Sequence, residues 1–175
     1  MSGLRRPIFV VGCPRSGTTL VQCILSASGQ AFSLPETHFF SYVLRAIDAL
    51  PETPIDSRAI RLARQAFETE AELVLPASFW SDLESRQAWT ALDLFLAVVE
   101  HHRPTGSVAL RVIEKTPRHV LHLETIARAF PDAVFVEVVR DPIDVASSLL
   151  SVPFESSRSL LACAQRWTES IQAAR

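Results

Sequence analysis

Four apolar residues, Ile8-Phe9-Val10-Val11, run into Gly12. A second glycine, Gly17, follows five residues later, directly ahead of Thr18-Thr19 and an apolar segment of helical period. No other feature narrows the fold so far. Pro7–Gly12 reads as a short strand that is apolar on both faces, which suits the inside of a sheet. From Thr18 to Ser28, Leu20, Val21, Ile24 and Leu25 recur at the spacing of one helix face, and Gly29 stands where a C-terminal glycine cap belongs. A buried strand that passes through a glycine turn into a helix is half of a β-α-β unit. Such a unit calls for a parallel sheet with helices laid on it.

The rest of the chain supplies further strands and their covers. Ala31–Pro35 reads as a strand or loop, and Glu36–Leu50 as helical. Pro51–Pro54 breaks that helix, and Asp56 or Ser57 caps the next, which composition carries to about Glu72. A helix over Gln87–His102 puts Leu92, Phe95, Leu96 and Val99 on one face. Pro104-Thr105-Gly106 is a turn, and Val108–Ile113 a second strand. Pro117–Phe130 is a helix with Leu121, Ile126 and Phe130 apolar, ended by Pro131-Asp132. Ala133–Val139 reads as the clearest buried strand of the chain. Asp141 and Pro142 suit the N-cap and first position of a helix reaching about Ser151. Beyond Pro153, a last helix from about Ser156 carries Leu160, Ala164, Trp167 and Ile171 toward the core.

With 175 residues, 48% of them hydrophobic and 21% charged, the chain has the make-up of a globular protein with one real core. A net charge of −2 gives no broad basic field for nucleic acid, so any anion site is local. Ile8–Val11 is far too short for a signal peptide or membrane helix, and the expectation is a cytoplasmic protein with no membrane partner. Cys13, Cys23 and Cys163 are odd in number and lack metal-ligand spacing. They read as reduced, mostly buried thiols.

The frame from Gly12 to Gly17 is that of a phosphate-binding loop. Successive backbone N–H groups point into the turn, the helix N-terminus adds partial positive charge, and glycine lets the backbone approach an anion. The lysine that follows the second glycine in nucleoside-triphosphatases is replaced by Thr18, and the cation sits inside the loop as Arg15. The fold class expected is therefore α/β: a three-layer α/β/α arrangement around a P-loop-type parallel sheet. It forms a single domain over residues 1–175, whose middle helices cover the sheet.

The spelling Pro14-Arg15-Ser16-Gly17-Thr18-Thr19 resembles the 5′-phosphosulfate loop of the sulfotransferases that use 3′-phosphoadenosine-5′-phosphosulfate (PAPS). It looks most like the tyrosylprotein sulfotransferase branch and its bacterial relatives. In that branch a Glu-Thr pair lies 21 residues beyond the loop arginine, and here Arg15 plus 21 is Glu36, followed by Thr37. The resemblance makes Glu36 the catalytic base. It makes Lys115, in Glu114-Lys115-Thr116-Pro117, the lysine that contacts the transferring group. It makes Arg140 at a strand end, with Ser148 eight residues on, the 3′-phosphate site. Ser16, Thr18 and Thr19 would hold the 5′-phosphate. The implied reaction moves a sulfuryl group from PAPS, as co-substrate, to an acceptor hydroxyl or amine on a small molecule, sugar, lipid or protein, and needs no metal. The resemblance runs from about Pro7 to Trp167, and by it the middle, about 50–106, matches only as a helical insert. Family members continue with another strand and a basic, glycine-containing loop, so by this resemblance the chain is C-terminally short.

Other readings stand beside this one. A P-loop kinase or nucleotide hydrolase shares the loop frame, though no acidic strand end suited to magnesium is evident. A non-catalytic nucleotide-binding module would fit a chain that stops early. Glu36 could be a first-turn acid favoured by a helix dipole, and Arg140 could pair with Asp144 at the surface. His38, His119 and His122 fit no ligand pattern and read as ordinary polar residues. Trp80, Trp89 and Trp167 read as core or acceptor-cleft lining, and Cys13 as a small packed residue of the loop.

Overall fold

The computed structural model describes residues 4–71, 73–85, 89–106, 111–152 and 159–175. Four parallel strands form the central sheet: β1 (Ile8–Gly12), β2 (Ala31–Ser33), β5 (Arg111–Glu114) and β6 (Val134–Val138), in the order β2-β5-β1-β6. Successive side chains of a strand point to opposite faces. Ile8 and Val10 accordingly join Ala31 and Ile113 on one face, under Val21 and Leu25 of helix α1 (Thr18–Ser26). Phe9 and Val11 join Phe32, Leu34 and Val112 in the larger core on the other face.

That larger core is covered by a π-helical turn (Phe39–Val43) leading into α2 (Leu44–Ala46), by a 3-10 turn (Pro117–His122) leading into α6 (Leu123–Ala129), and by the middle of the chain. The middle holds α3 (Ser57–Glu70), α4 (Ala77–Ser85) and α5 (Ala91–His101), with a two-stranded antiparallel ribbon of β3 (Pro54–Ile55) and β4 (Trp89–Thr90). Phe39, Phe67 and Phe95 are fully buried where these helices meet. The caps follow the sequence. Asp56 accepts the Ala59 N–H (2.8 Å), and Thr90 and Asp93 form a reciprocal capping box on α5. Beside the sheet, α7 (Pro142–Leu150) packs on α8 (Leu160–Ala173), enclosing Cys13, Val145, Ala146, Leu149 and Cys163.

The α/β class and the parallel sheet expected from the sequence are the ones observed. Several local expectations are corrected. Glu36–Leu50 is not one helix: residues 34–38 have no regular structure, and only the π turn and three α-helical residues follow. Pro117–Phe130 begins as a 3-10 turn rather than an α-helix. Helix α4 was not foreseen. Strand β6 has partly buried side chains, since among the described residues it pairs with β1 alone. Leu20 and Ile24 of α1 are 66% and 62% exposed, so only Val21 and Leu25 of the apolar set reach the sheet. Helix α8 is rotated from its expected face: Cys163 and Ser170 are buried, whereas Leu160 and Ala164 are exposed. Parts of three expected elements, at residues 87–88, 108–110 and 156–158, lie outside the described residues.

Candidate functional site

All four strands of a parallel sheet end on the same edge, and ligands of open α/β sheets sit at those ends. Here Gly12 pairs with Val138 and Phe9 with Glu114, so the loops after β1, β5 and β6 leave the sheet side by side. The loop 13–17, the segment 34–38, the turn 115–117 and the turn 139–141 therefore face one another without any long reach.

The first loop needs its glycines for two different reasons. Gly12 has φ 145°, and a Cβ there would stand 2.5 Å from the Val138 carbonyl oxygen, so only glycine lets β1 and β6 pass this closely. Gly17 has φ 98° and opens α1 with no side-chain cap, and the first turn of α1 carries no acidic residue. The first N–H groups of a helix have no intrahelical acceptor, so this uncapped end is suited to an anion. Arg15 also takes a positive φ, 72°. Ser16 is buried, and its Oγ has no partner among the described residues. Cys13 is packed under α7 and α8, as a small residue of the loop should be.

These parts border a cleft of about 610 Å³. Its lining includes Pro14, Arg15, Gly17, Thr18 and Thr19 from the first loop and helix, Glu36, Arg140 and Ser148. Arg15 Nε donates to Ser148 Oγ (3.0 Å), and Arg140 Nη1 donates to the Arg15 carbonyl (3.3 Å). Arg140 also pairs with Asp144 at 3.2 Å, so the surface pair and the shared cleft occur together. Asp141 caps α7 by accepting the Ile143 N–H at 2.8 Å, and Trp167 Nε1 holds the Arg140 carbonyl at 3.0 Å. The turn that carries Arg140 is thus fastened on both sides.

Glu36 stands ahead of the helical turn, not in its first turn. It is paired with Lys115 Nζ and with His38 Nε2 (3.4 Å). Burial raises the affinity of its carboxyl for a proton, but the hydrogen bonds and charges of His38 and Lys115 outweigh that and hold its pKa below the ordinary range. Glu36 is therefore a carboxylate at neutral pH. Lys115, the only lysine of the chain, is 5% exposed and reaches the cleft wall through Glu36. Ser16 and Lys115 are the two residues singled out from the sequence that lie behind the wall, not in it.

Sequence reasoning passed over Tyr42 and Arg118 and assigned no role to Thr37, Glu114 or His119. Tyr42, the single tyrosine, stacks on His38 (5.1 Å between centroids) and lies 5.8 Å from the Arg118 guanidinium, and all three line the cleft. His119 and Glu114 are completely buried and joined at 2.8 Å, so His119 is not the ordinary polar residue expected from its spacing. The Glu-Lys-Thr-Pro string was the available signal, since a charged residue at the end of a buried strand calls for partners. Trp80 and Trp89 belong to the core, and the cleft lining draws on no described residue between 50 and 106.

Fold and cleft together define an α/β protein in which the strand-to-helix junctions after β1 and β6 bring Arg15 and Arg140 to one cleft. The sulfotransferase-family model matches residues 7–175, and the chain belongs to the sulfotransferase family. It is 27% identical over 157 residues to the nodulation protein NoeE of Sinorhizobium fredii, covering 86% of this chain and 33% of that protein. It is 28% identical over 156 residues to a putative protein-tyrosine sulfotransferase of Caenorhabditis briggsae, covering 86% of this chain and 45% of that one. The chain thus spans less than half the length of these curated relatives. Among solved structures, the sulfotransferase domain from the curacin biosynthetic pathway superposes with a TM-score of 0.60 at 21% identity, over 98% of this chain and 62% of that one. Sulfotransferase STF9 from Mycobacterium avium gives 0.55 at 17%, over 99% and 55%. Among the described residues, no helix is long and apolar enough to cross a membrane.

Proposed function

We propose that residues 1–175 act as one sulfotransferase-like domain that binds PAPS and moves its sulfuryl group to an acceptor hydroxyl or amine. The observation that carries this reading is that Arg15 and the Arg140–Ser148 pair, from separate strand-to-helix junctions, border one cleft with Glu36 in its wall. The volume, about 610 Å³, suits a nucleotide-sized ligand. The uncapped start of α1 and the unpartnered Ser16 hydroxyl fit a phosphate at that end.

In this reading Ser16, Thr18, Thr19 and the N–H groups around them hold the 5′-phosphate. Arg140 and Ser148 hold the 3′-phosphate, a task suited to a guanidinium fork that can donate two bonds to one anion. The co-substrate supplies a sulfuryl group already joined to a good leaving phosphate. The acceptor oxygen or nitrogen bonds to sulfur, the sulfur–oxygen bond to that phosphate breaks, and the acceptor's proton passes to Glu36. Arg15 and Lys115 stabilise the charge that builds on the sulfuryl and leaving oxygens. Lys115 also keeps Glu36 ionised before the step, which is what a proton acceptor needs.

Calorimetric titration with adenosine 3′,5′-bisphosphate, with ADP as the comparison and with and without magnesium, tests the nucleotide assignment. The bisphosphate binds more tightly, without magnesium. Arg140→Ala weakens it by about 10- to 100-fold, the loss of one charge-assisted contact of roughly 1.5–3 kcal/mol. Equal binding of ADP, or an unchanged Arg140→Ala variant, refutes the 3′-phosphate site. Glu36→Gln leaves nucleotide affinity intact while abolishing transfer; unaltered turnover removes Glu36 from its role.

A further inference from the structure

Glu114 is charged, wholly buried and has no part in the chemistry proposed above. Its surroundings fix its state. Its Oε1 accepts from the hydroxyls of Thr116 (2.6 Å) and Thr37 (2.8 Å), and the Thr37 N–H lies at 3.5 Å. Its Oε2 accepts from His119 Nδ1 (2.8 Å). Each of these three side chains is in turn an acceptor for a backbone amide. Thr116 Oγ1 takes the His38 N–H (3.3 Å), Thr37 Oγ1 the Phe39 N–H (3.3 Å), and His119 Nε2 the Phe40 N–H (3.2 Å). Because Nε2 accepts, the imidazole carries its proton on Nδ1, directed at Glu114. Every proton in the cluster thus has one place, and every bond points toward the carboxylate. Burial opposes the charge, but His119, Thr116 and Thr37 outweigh it and keep the carboxyl below its ordinary pKa range.

Three consecutive amides, of residues 38–40, are tied through three side chains to one carboxylate at the end of β5. Both segments alternate. Thr37 turns inward while Glu36 and His38 line the cleft. Glu114 and Thr116 turn inward while Lys115, between them, reaches Glu36. We infer that Glu114 is a positioning residue: through Thr37, Thr116 and His119 it holds Glu36 and Lys115 opposite each other at the cleft wall. Its bearing on transfer rests on the reading of Glu36 as proton acceptor, whereas its bearing on geometry does not.

Carboxyl NMR titration of Glu36 tests this in wild type, Glu114→Gln, Thr116→Val and Thr37→Val, with Glu36→Gln as the assignment blank. Lys115 from the end of β5 and His38 from the same loop face Glu36, and Arg15 and Arg118 line the same cleft. Removing a nearby negative charge would by itself lower the Glu36 midpoint. Losing the geometry separates Glu36 from its cations and raises it, so the sign tells the two apart. The midpoint rises by about one pH unit in Glu114→Gln, and in the same direction by less in the two valine variants. An unchanged or lowered midpoint in any folded variant overturns the inference, even if that variant melts earlier. Should Glu114→Gln not fold, the valine variants decide. Bisphosphate titration of the wild type runs alongside: failure to bind refutes the proposed function and leaves the Glu36 measurement to stand or fall separately.

Discussion

Replacing Gly12 and Gly17 in turn by alanine separates what the first loop does for the fold from what it does for the ligand. Gly17→Ala meets no atom within 4 Å, so its cost is the backbone alone. Holding alanine at φ 98° costs about 1–3 kcal/mol, offset by about 0.4–1 kcal/mol because alanine restricts the unfolded chain. The net loss is on the order of 1–2 kcal/mol, which a typical domain survives. Gly12→Ala incurs the same kind of strain at φ 145° and adds a Cβ 2.5 Å from the Val138 carbonyl oxygen. That neighbour is strand backbone and cannot swing aside. The strands must part where Gly12 pairs with Val138, the last pair of the β1–β6 ladder. A loss of roughly 4 kcal/mol or more is expected, in the range that single substitutions seldom exceed. Urea unfolding reads the stabilities, and bisphosphate calorimetry reads the cleft. Gly17→Ala melts near wild type but binds at least tenfold more weakly, since Gly17 lines the cleft and its new methyl projects into open space where the backbone would meet an anion. Gly12→Ala is chiefly a folding defect. If Gly12→Ala unfolds at the wild-type midpoint, the close approach of β1 to β6 does not constrain the loop, and the reasoning fails.

Two further outcomes follow from groups near the cleft. Because the folded pKa of Glu114 lies below the ordinary glutamate value of 4.5, its stabilisation is complete above that pH and is lost as pH falls through the folded value. Urea midpoints at pH 6, 4 and 3 therefore fall more steeply in wild type than in Glu114→Gln, and parallel slopes would contradict the ionised state. Asp141→Ala removes the α7 cap and costs about 1 kcal/mol in the same assay. It also loosens the turn bearing Arg140, weakening the bisphosphate more than ADP; equal weakening of both would detach the cap from the 3′-phosphate site.

The conformation of the first loop was legible because its requirements are local. Two glycines, an interior cation and an apolar strand of five residues specify positive φ values and a buried β1 without reference to distant partners. The caps at Asp56 and Asp141 were legible for the same reason, since each acts within three residues. What the pattern of apolar residues did not report was how many neighbours each element has. Ala133–Val139 is nearly as apolar as β1, with Glu137 as its one charged residue, yet among the described residues β1 lies between two strands and β6 beside one, and the run of apolar residues around Glu137 reads like that of a central strand. Helix α8 failed in a related way. Its apolar contact with α7 is made by Cys163 with Trp167 packed beside it, and Ser170 is buried as well, while Leu160 and Leu161 stand at the exposed start. Periodicity that counts leucines points to the wrong face.

The candidate site divides along the same line. Arg15, Glu36, Arg140 and Ser148 were picked out by spacing along the chain, and parallel pairing carries them to one edge. His119 was dismissed because its spacing suits no metal on a helix face, but its partner is Glu114, five residues earlier across a 3-10 turn. The other donors include Thr37, 77 residues away from Glu114. A buried carboxylate is costly without such partners, and here every one of them is tied back to the segment 38–40. The string Glu114-Lys115-Thr116 therefore does more than deliver a lysine. Its inward members bind the segment that bears Glu36, and its outward member meets Glu36 at the cleft. The alternation of a strand thus becomes the means by which a buried charge aligns an exposed one.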